Sequence, residues 1–238
     1  MAGMADSADR ETRAAALEFA DAREAAGLGA FLGRLIHYDR AAAVRLQADR
    51  GAVAVFGRPP SFEVIAIRTV RLAGAVELDV TVSAGELLEG LAEEAGTLAV
   101  PTAVTGPPWA GLLPPRGGWR PLPGLPGVAR MRGAVAAAVA EFRSRDEALP
   151  AQHRTRTERD RIGHEIWSRT LGDTELPLRA AHAAQSVGFL RPMPDDAPVA
   201  LLRAGSWLRL RTPFGSIALR TAGAGGLNSL AGLSVTPA

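Results

Sequence analysis

Cysteine and lysine are both absent from this chain of 238 residues. Without thiols there are no disulfides, no thiolate nucleophile, no iron–sulfur ligation and no zinc site of the common cysteine-bearing kinds. Without lysine there is no Schiff-base chemistry, no lysine general base and no phosphate-loop amine. Histidine occurs four times, at His37, His153, His164 and His182, so proton transfer near neutral pH and imidazole metal binding rest on those positions. None of them pairs at the i, i+4 spacing of a helical zinc site, and His164-Glu165 lacks the second histidine of such a motif. A Gly-x-Ser-x-Gly elbow is also missing, which removes the commonest hydrolase nucleophile. No metal and no organic cofactor is expected. Long apolar runs are missing too: none approaches the roughly 18 residues of a membrane span. The first residues carry Asp6, Asp9 and Glu11 where a signal peptide would be basic and then apolar. The expected location is the cytoplasm, with no membrane partner.

What is present is alanine, glycine, proline and 27 basic residues that are all arginine, the composition of a GC-rich bacterial genome. Codon bias therefore competes with guanidinium chemistry as the reason for each arginine. The formal charge is only +2, but it is unevenly spread. Residues 1–127 hold 12 arginines against 15 carboxylates, and 128–238 hold 15 against 10.

Residues 1–26 are rich in Ala, Arg and Glu, with few large apolar side chains, and predict a poorly packed N-terminal helix through which the chain could self-associate. Leu28, Phe31, Leu32, Leu35 and Ile36 then form one apolar stripe at helical spacing. Burying five such side chains contributes on the order of 10 kcal/mol before entropy is subtracted. Gly27, Gly29 and Gly33 superficially match a dinucleotide-binding turn. That turn must follow a strand, and the pattern before Gly27 is helical, so a helix break followed by small packing residues is the better reading.

Strands are predicted over 42–48, 52–56 and 62–72, and a fourth over 76–83, where Val76, Leu78, Val80 and Val82 alternate with Glu77, Asp79, Thr81 and Ser83. Ser83-Ala-Gly-Glu86 is a capping box that opens an amphipathic helix carrying Leu87, Leu88 and Leu91. Residues 27–100 thus read as an antiparallel α+β domain. Glu77 and Asp79 share a strand face; alternation demands polar residues there, which accounts for them without acid–base chemistry.

Eight prolines and six glycines in residues 101–127 mark a linker or long ordered loop. Within it Arg120-Pro-Leu-Pro-Gly-Leu-Pro126 resembles a polyproline ligand of SH3 modules, although Trp109 and Trp119 fit better as pins that hold the loop to a domain. Three helices follow, at 128–149, 157–170 and 178–187, and then strands at 199–202, 207–211 and 216–220. The overall expectation is an α+β fold: an N-terminal antiparallel sheet flanked by helices, then a helical segment with a C-terminal β-hairpin or meander, and a flexible tail at 223–238.

The favoured function is a non-enzymatic interaction protein that contacts a protein through Trp109, Trp119 and Arg120, or a nucleic acid through its arginines. The order helix, helix, helix, hairpin offers a second reading, a winged-helix-like DNA-binding regulator over 128–220. There Arg179, His182 and Gln185 would meet base edges, and Arg209 and Arg211 phosphates. Arg154, Arg156, Arg159 and Arg161 form the densest basic cluster, diluted by Glu158, Asp160 and Glu165. A third reading is a hydrolase or transferase using Asp160 and His164, which share a helical face.

Overall fold

The computed structural model describes residues 16–194 and 196–221. Strand β1 (Ala16–Glu18) opens the described chain, followed by helix α1 (Arg23–Tyr38). Strands β2 (Ala43–Asp49), β3 (Ala52–Gly57), β4 (Ile65–Arg71) and β5 (Leu78–Ser83) lead to the six-residue helix α2 (Ala84–Glu89) and the short strands β6 (Leu91–Ala92) and β7 (Thr97–Ala99). Beyond the proline-rich stretch come β8 (Arg120–Leu122), helices α3 (Val128–Glu147), α4 (Arg156–Trp167) and α5 (Leu178–Ser186), and strands β9 (Ala200–Ala204), β10 (Trp207–Thr212) and β11 (Gly215–Arg220). The protein is α+β, with an N-terminal antiparallel sheet flanked by helices and a C-terminal strand meander that follows three helices.

The two sets of long strands are one sheet. Its order is β5-β2-β3-β4-β11-β10-β9-β8, with every neighbour antiparallel. The seam is β4 against β11, where Ile65, Ala66 and Ile67 face Ala218, Ile217 and Ser216. Helices cover one face, with α1 packed on β4 and α5 on β11, and with α3 and α4 packed against α5. A single buried cluster runs through both, from Leu28, Phe31 and Leu32 to Met131, Ile162, Ile166 and Phe189. Phe31 of α1 and Phe189, which follows α5, meet at 5.2 Å between ring centroids. Arg68 of β4 donates from Nη1 to the Phe214 carbonyl at 2.7 Å. The hairpin β10–β11 is therefore interior to a sheet, flanked by β9 and β4, and is not the free wing of a winged helix.

The N-terminal segment departs from the helix expected over 1–26. Its first fifteen residues lie outside the described chain, but Ala16–Glu18 is a strand paired with β7, and Leu17 and Phe19 are buried. Those two apolar residues are spaced by two, and a neighbouring strand edge was available to take them. Helix α1 also runs unbroken through Gly27, Gly29 and Gly33. At Gly27 an added Cβ would lie 2.6 Å from the Arg68 guanidinium, and at Gly29 2.5 Å from the Glu93 carboxylate. Small residues there admit side chains from neighbouring elements.

Ser83 caps α2 as expected, accepting from the Glu86 amide at 3.4 Å. The helix is shorter than its leucines suggested, and Leu91 belongs to β6. The cause is the return of the chain at Gly90: Ala99 donates its amide to the Gly90 carbonyl at 2.8 Å, and a Cβ at Gly90 would lie 2.5 Å from the Ala99 carbonyl oxygen. Leu87 is buried.

The proline-rich stretch is an ordered loop over the sheet face that the helices leave open. Trp109 and Leu113 pack there on Phe56, Ile65, Ile67 and Ala218, with Trp207 alongside. Arg120–Leu122 is edge strand β8, so this part of the polyproline-like segment is paired with β9; a proline is tolerated at an edge because it need not donate. At the opposite edge the Val104 amide donates to Thr81, which blunts β5 against further pairing. No helix among the described residues is long and apolar enough to cross a membrane. The tail expected to be flexible, 223–238, lies outside the described residues.

Candidate functional site

The densest basic cluster is neutralised by its own carboxylates. Arg159 reaches Asp146 at 2.7 Å, Arg161 pairs with Glu158, and Arg156 lies 3.7 Å from Asp160. Arg145 and Arg169 converge on Glu141 and Glu165 from α3 and the end of α4. These guanidinium groups pull the Glu165 carboxyl down to about 2, hydrogen bonding from Arg145 being the largest cause. Arg154 donates to the Leu149 and Glu147 carbonyls and so satisfies the C-terminal end of α3. The cluster ties α3 to α4.

Unneutralised arginines lie on the open face of the sheet. The register sets Arg209 opposite Ala218, Arg211 opposite Ser216, and Ile65 and Ile67 on the same face. Arg209 donates from Nε to Ser216 Oγ at 2.8 Å, and its guanidinium lies 5.6 Å from the Trp119 ring. Burial, and then the neighbouring Arg211 charge, hold the Arg209 guanidinium below its ordinary pKa. Among the described residues neither Arg209 nor Arg211 has a carboxylate within ion-pair distance. Two adjoining hollows flank them, of about 210 and 180 Å³, both lined by Ile67, Thr69 and Arg209; Arg116 lines the first and Arg211 the second. Beyond Trp109 lies a third, of about 430 Å³, bordered by Trp109, Trp207, Arg58 and Arg220. Three of the four tryptophans thus stand along one sheet face with several exposed arginines. Arg120 is exposed at its edge.

A different cleft, of about 570 Å³, opens on the helical side between α4, α5 and the turn before β4. It gathers Asp160, His164, Arg159, Arg179 and His182. His182 of α5 stacks on Trp167 at 4.3 Å, with Phe62 edge-on at 5.0 Å. Phe62 is presented by an unusual backbone: Ser61 and Glu63, on either side of it, have left-handed φ of 68° and 52°. Each such residue costs about 1 kcal/mol or more, a strain held in place by what it positions. Glu63 stands 3.9 Å from Arg179, whose buried Nε has no hydrogen-bond partner among the described residues. Gly163 sits in the interior of α4, where glycine costs about 1 kcal/mol relative to alanine, and lines the same cleft.

Asp160 and His164 line this cleft together, as their shared helical face implies. Asp160 is largely exposed and its nearby partner is Arg156; His164 is exposed; and among the described residues no hydrogen bond joins the two. No cluster of three metal-ligating side chains occurs among the described residues. Asp79, once a candidate partner of Glu77, is bound by Arg45 and Gln47, and Glu77 is exposed elsewhere on β5's approach. Gln185 is exposed on α5, whereas Ala180, Ala181, Ala183 and Ala184 are fully buried, so the helix packs its alanine face into the core and leaves Arg179, His182 and Gln185 on the other.

Burial pushes the His182 imidazole below its ordinary value of 6.5. The unfolded chain therefore takes up a proton first as pH falls. Stability from this group is complete above the ordinary value and is lost as pH drops through it toward the lower folded one. Urea midpoints should fall between about pH 7.5 and 5.5, and His182→Phe, which keeps a flat ring, should flatten that decline. Equal slopes for the two proteins would show that His182 is not its source.

Phe62, Glu63, Phe142, Arg58, Trp207 and Arg220 went unrecognised in the sequence. Nothing local marks a left-handed Ser or Glu, and Trp207 reads as an ordinary strand residue. No curated protein matches the chain. Residues 12–111 match a domain of unknown function, DUF8010, and residues 114–224 match a second domain of unknown function, DUF8185, so the two matched regions meet at the loop that crosses the open sheet face.

Proposed function

We propose that the protein is a cytoplasmic, non-enzymatic binding protein whose open sheet face takes single-stranded nucleic acid. The observation that carries this reading is the neighbouring pair Arg209 and Arg211, without a described carboxylate partner, of which Arg209 lies beside Trp119. Two like charges side by side destabilise the free protein slightly, and a phosphate between them relieves that repulsion. Half-buried tryptophans offer ring faces to bases, the combination that sequence-tolerant single-strand binders use. A winged-helix mode is disfavoured because the hairpin β10–β11 lies inside the sheet, between β9 and β4. The acidic residues around the helical arginines leave that surface with little attraction for phosphates.

Fluorescence anisotropy with a labelled oligothymidylate of about twelve nucleotides tests this. Affinity should fall steeply between about 50 and 200 mM salt, and the double substitution R209Q/R211Q should weaken binding by about tenfold or more. Substituting Arg156 and Arg161 together should change it by less than about twofold. Salt-independent binding, or greater sensitivity in the α4 variant, would overturn the assignment.

A further inference from the structure

We infer that the cleft between α4, α5 and the Ser61–Glu63 turn is a second site, for a small monoanion bearing a flat aromatic ring. Its anionic group pairs with Arg179, and its ring lies against the aromatic wall in the room left by Gly163.

The charge of the ligand follows from which cations are free. Arg159 is held by Asp146 at 2.7 Å, whereas Arg179 has only the 3.9 Å approach of Glu63, a largely exposed carboxylate, and a buried Nε with no described acceptor. The side chain is 25% exposed, so its terminal nitrogens remain open to a carboxylate that enters the cleft. Glu63 and Asp160 line the same cleft, so each further negative charge on a ligand adds repulsion and a monoanion meets the least. Glu63 and Arg179 also border the hollow beyond Trp109, whereas Arg209 and Arg211 border neither that hollow nor this cleft.

Shape gives the rest. Phe62, Phe142, Trp167 and His182 line the cleft, and its volume of about 570 Å³ lies in the range of small-molecule sites. The left-handed residues flanking Phe62 fix its ring edge-on to His182, a local strain of the kind found at ligand clamps. At Gly163 a Cβ would meet Phe142 at 3.6 Å and Trp167 at 3.7 Å, ordinary contacts. Packing therefore does not require a glycine here, and helix propensity opposes one. What the glycine provides is open space beside two aromatic rings.

Titration calorimetry of the full chain with 2-naphthoate, benzoate and indole-3-carboxylate, and with the neutral 2-naphthamide, tests the site. At least one carboxylate should bind, and naphthamide should bind at least about tenfold more weakly than naphthoate. Arg179→Gln should reduce naphthoate to the amide's level, and Gly163→Leu, which fills the cleft, should abolish both while melting no lower than the wild type. R209Q/R211Q should leave naphthoate binding unchanged, which keeps this result independent of the sheet-face reading. Absence of binding by all three carboxylates, equal affinity for acid and amide, or undiminished binding by a folded Gly163→Leu protein would each overturn the inference.

Discussion

Cut between Gly111 and Leu112, neither half of this chain will unfold cooperatively on its own, and mixing the halves will restore one transition. Each fragment exceeds 100 residues, long enough in general for an independent core, so the expectation comes from how this core is shared. The first half alone leaves the β4 edge without β11 and uncovers Phe31, which is 1% exposed in the whole chain. The second half loses α1 and exposes the opposite edge, along which Ile217 and Ala218 are fully buried in the intact sheet. Unpaired edges with apolar faces aggregate more readily than they fold. Urea unfolding followed by circular dichroism of each fragment and of the mixture is the measurement. A native-like cooperative transition in either isolated fragment would show that the seam is an accessory contact between two self-sufficient units.

Replacement of Phe189 by alanine should cost about 3–5 kcal/mol, the range for deleting a fully enclosed aromatic ring. Phe189 is 2% exposed and meets Phe31 across the joint between the two halves. The turn from β10 to β11 closes over it, since a Cβ at Gly215, where φ is 151°, would lie 2.6 Å from the ring. With the backbone on one side and α1 on the other, the surroundings have little freedom to collapse into the gap. The loss should appear as a lower urea midpoint with unchanged slope, and one transition seen alike by far-ultraviolet and tryptophan signals. A cost below about 1 kcal/mol would mean that the ring is not the joint described here. Two separate transitions would show instead that the halves are held together by this contact alone.

Much of the secondary structure was legible because its causes are local. Alternation in Val76 to Ser83 and in Trp207 to Arg211, the stripe from Leu28 to Leu35, and the Ser83 cap all depend on residues within a few positions of one another. The errors have equally definite causes. Ala16 to Glu18 carry helix-forming neighbours, yet pair with β7 about eighty residues away. Leu91 continues an apolar helical spacing, but the turn at Gly90 ends α2 first. The arginines divide in the same manner. Spacing showed that Arg156 to Arg161 stand among acids on one helix, but not that Asp146 of α3 would meet Arg159, nor that Glu165 would join Arg145 and Arg169.

By itself the sequence determined the α+β class, the position of most helices and strands, the absence of thiol and amine chemistry, and a pool of arginines and tryptophans from which any binding surface had to be drawn. Tertiary structure alone decided that β4 and β11 join the strands into one sheet, that Arg209 emerges beside Trp119 and shares with Arg211 a lack of described counter-charges, and that His182, Trp167, Phe62 and Arg179 line a common cleft. The reason is range: periodicity and capping act within a turn or two of chain, whereas neutralisation of a charge and enclosure of a cavity depend on side chains brought together from distant elements.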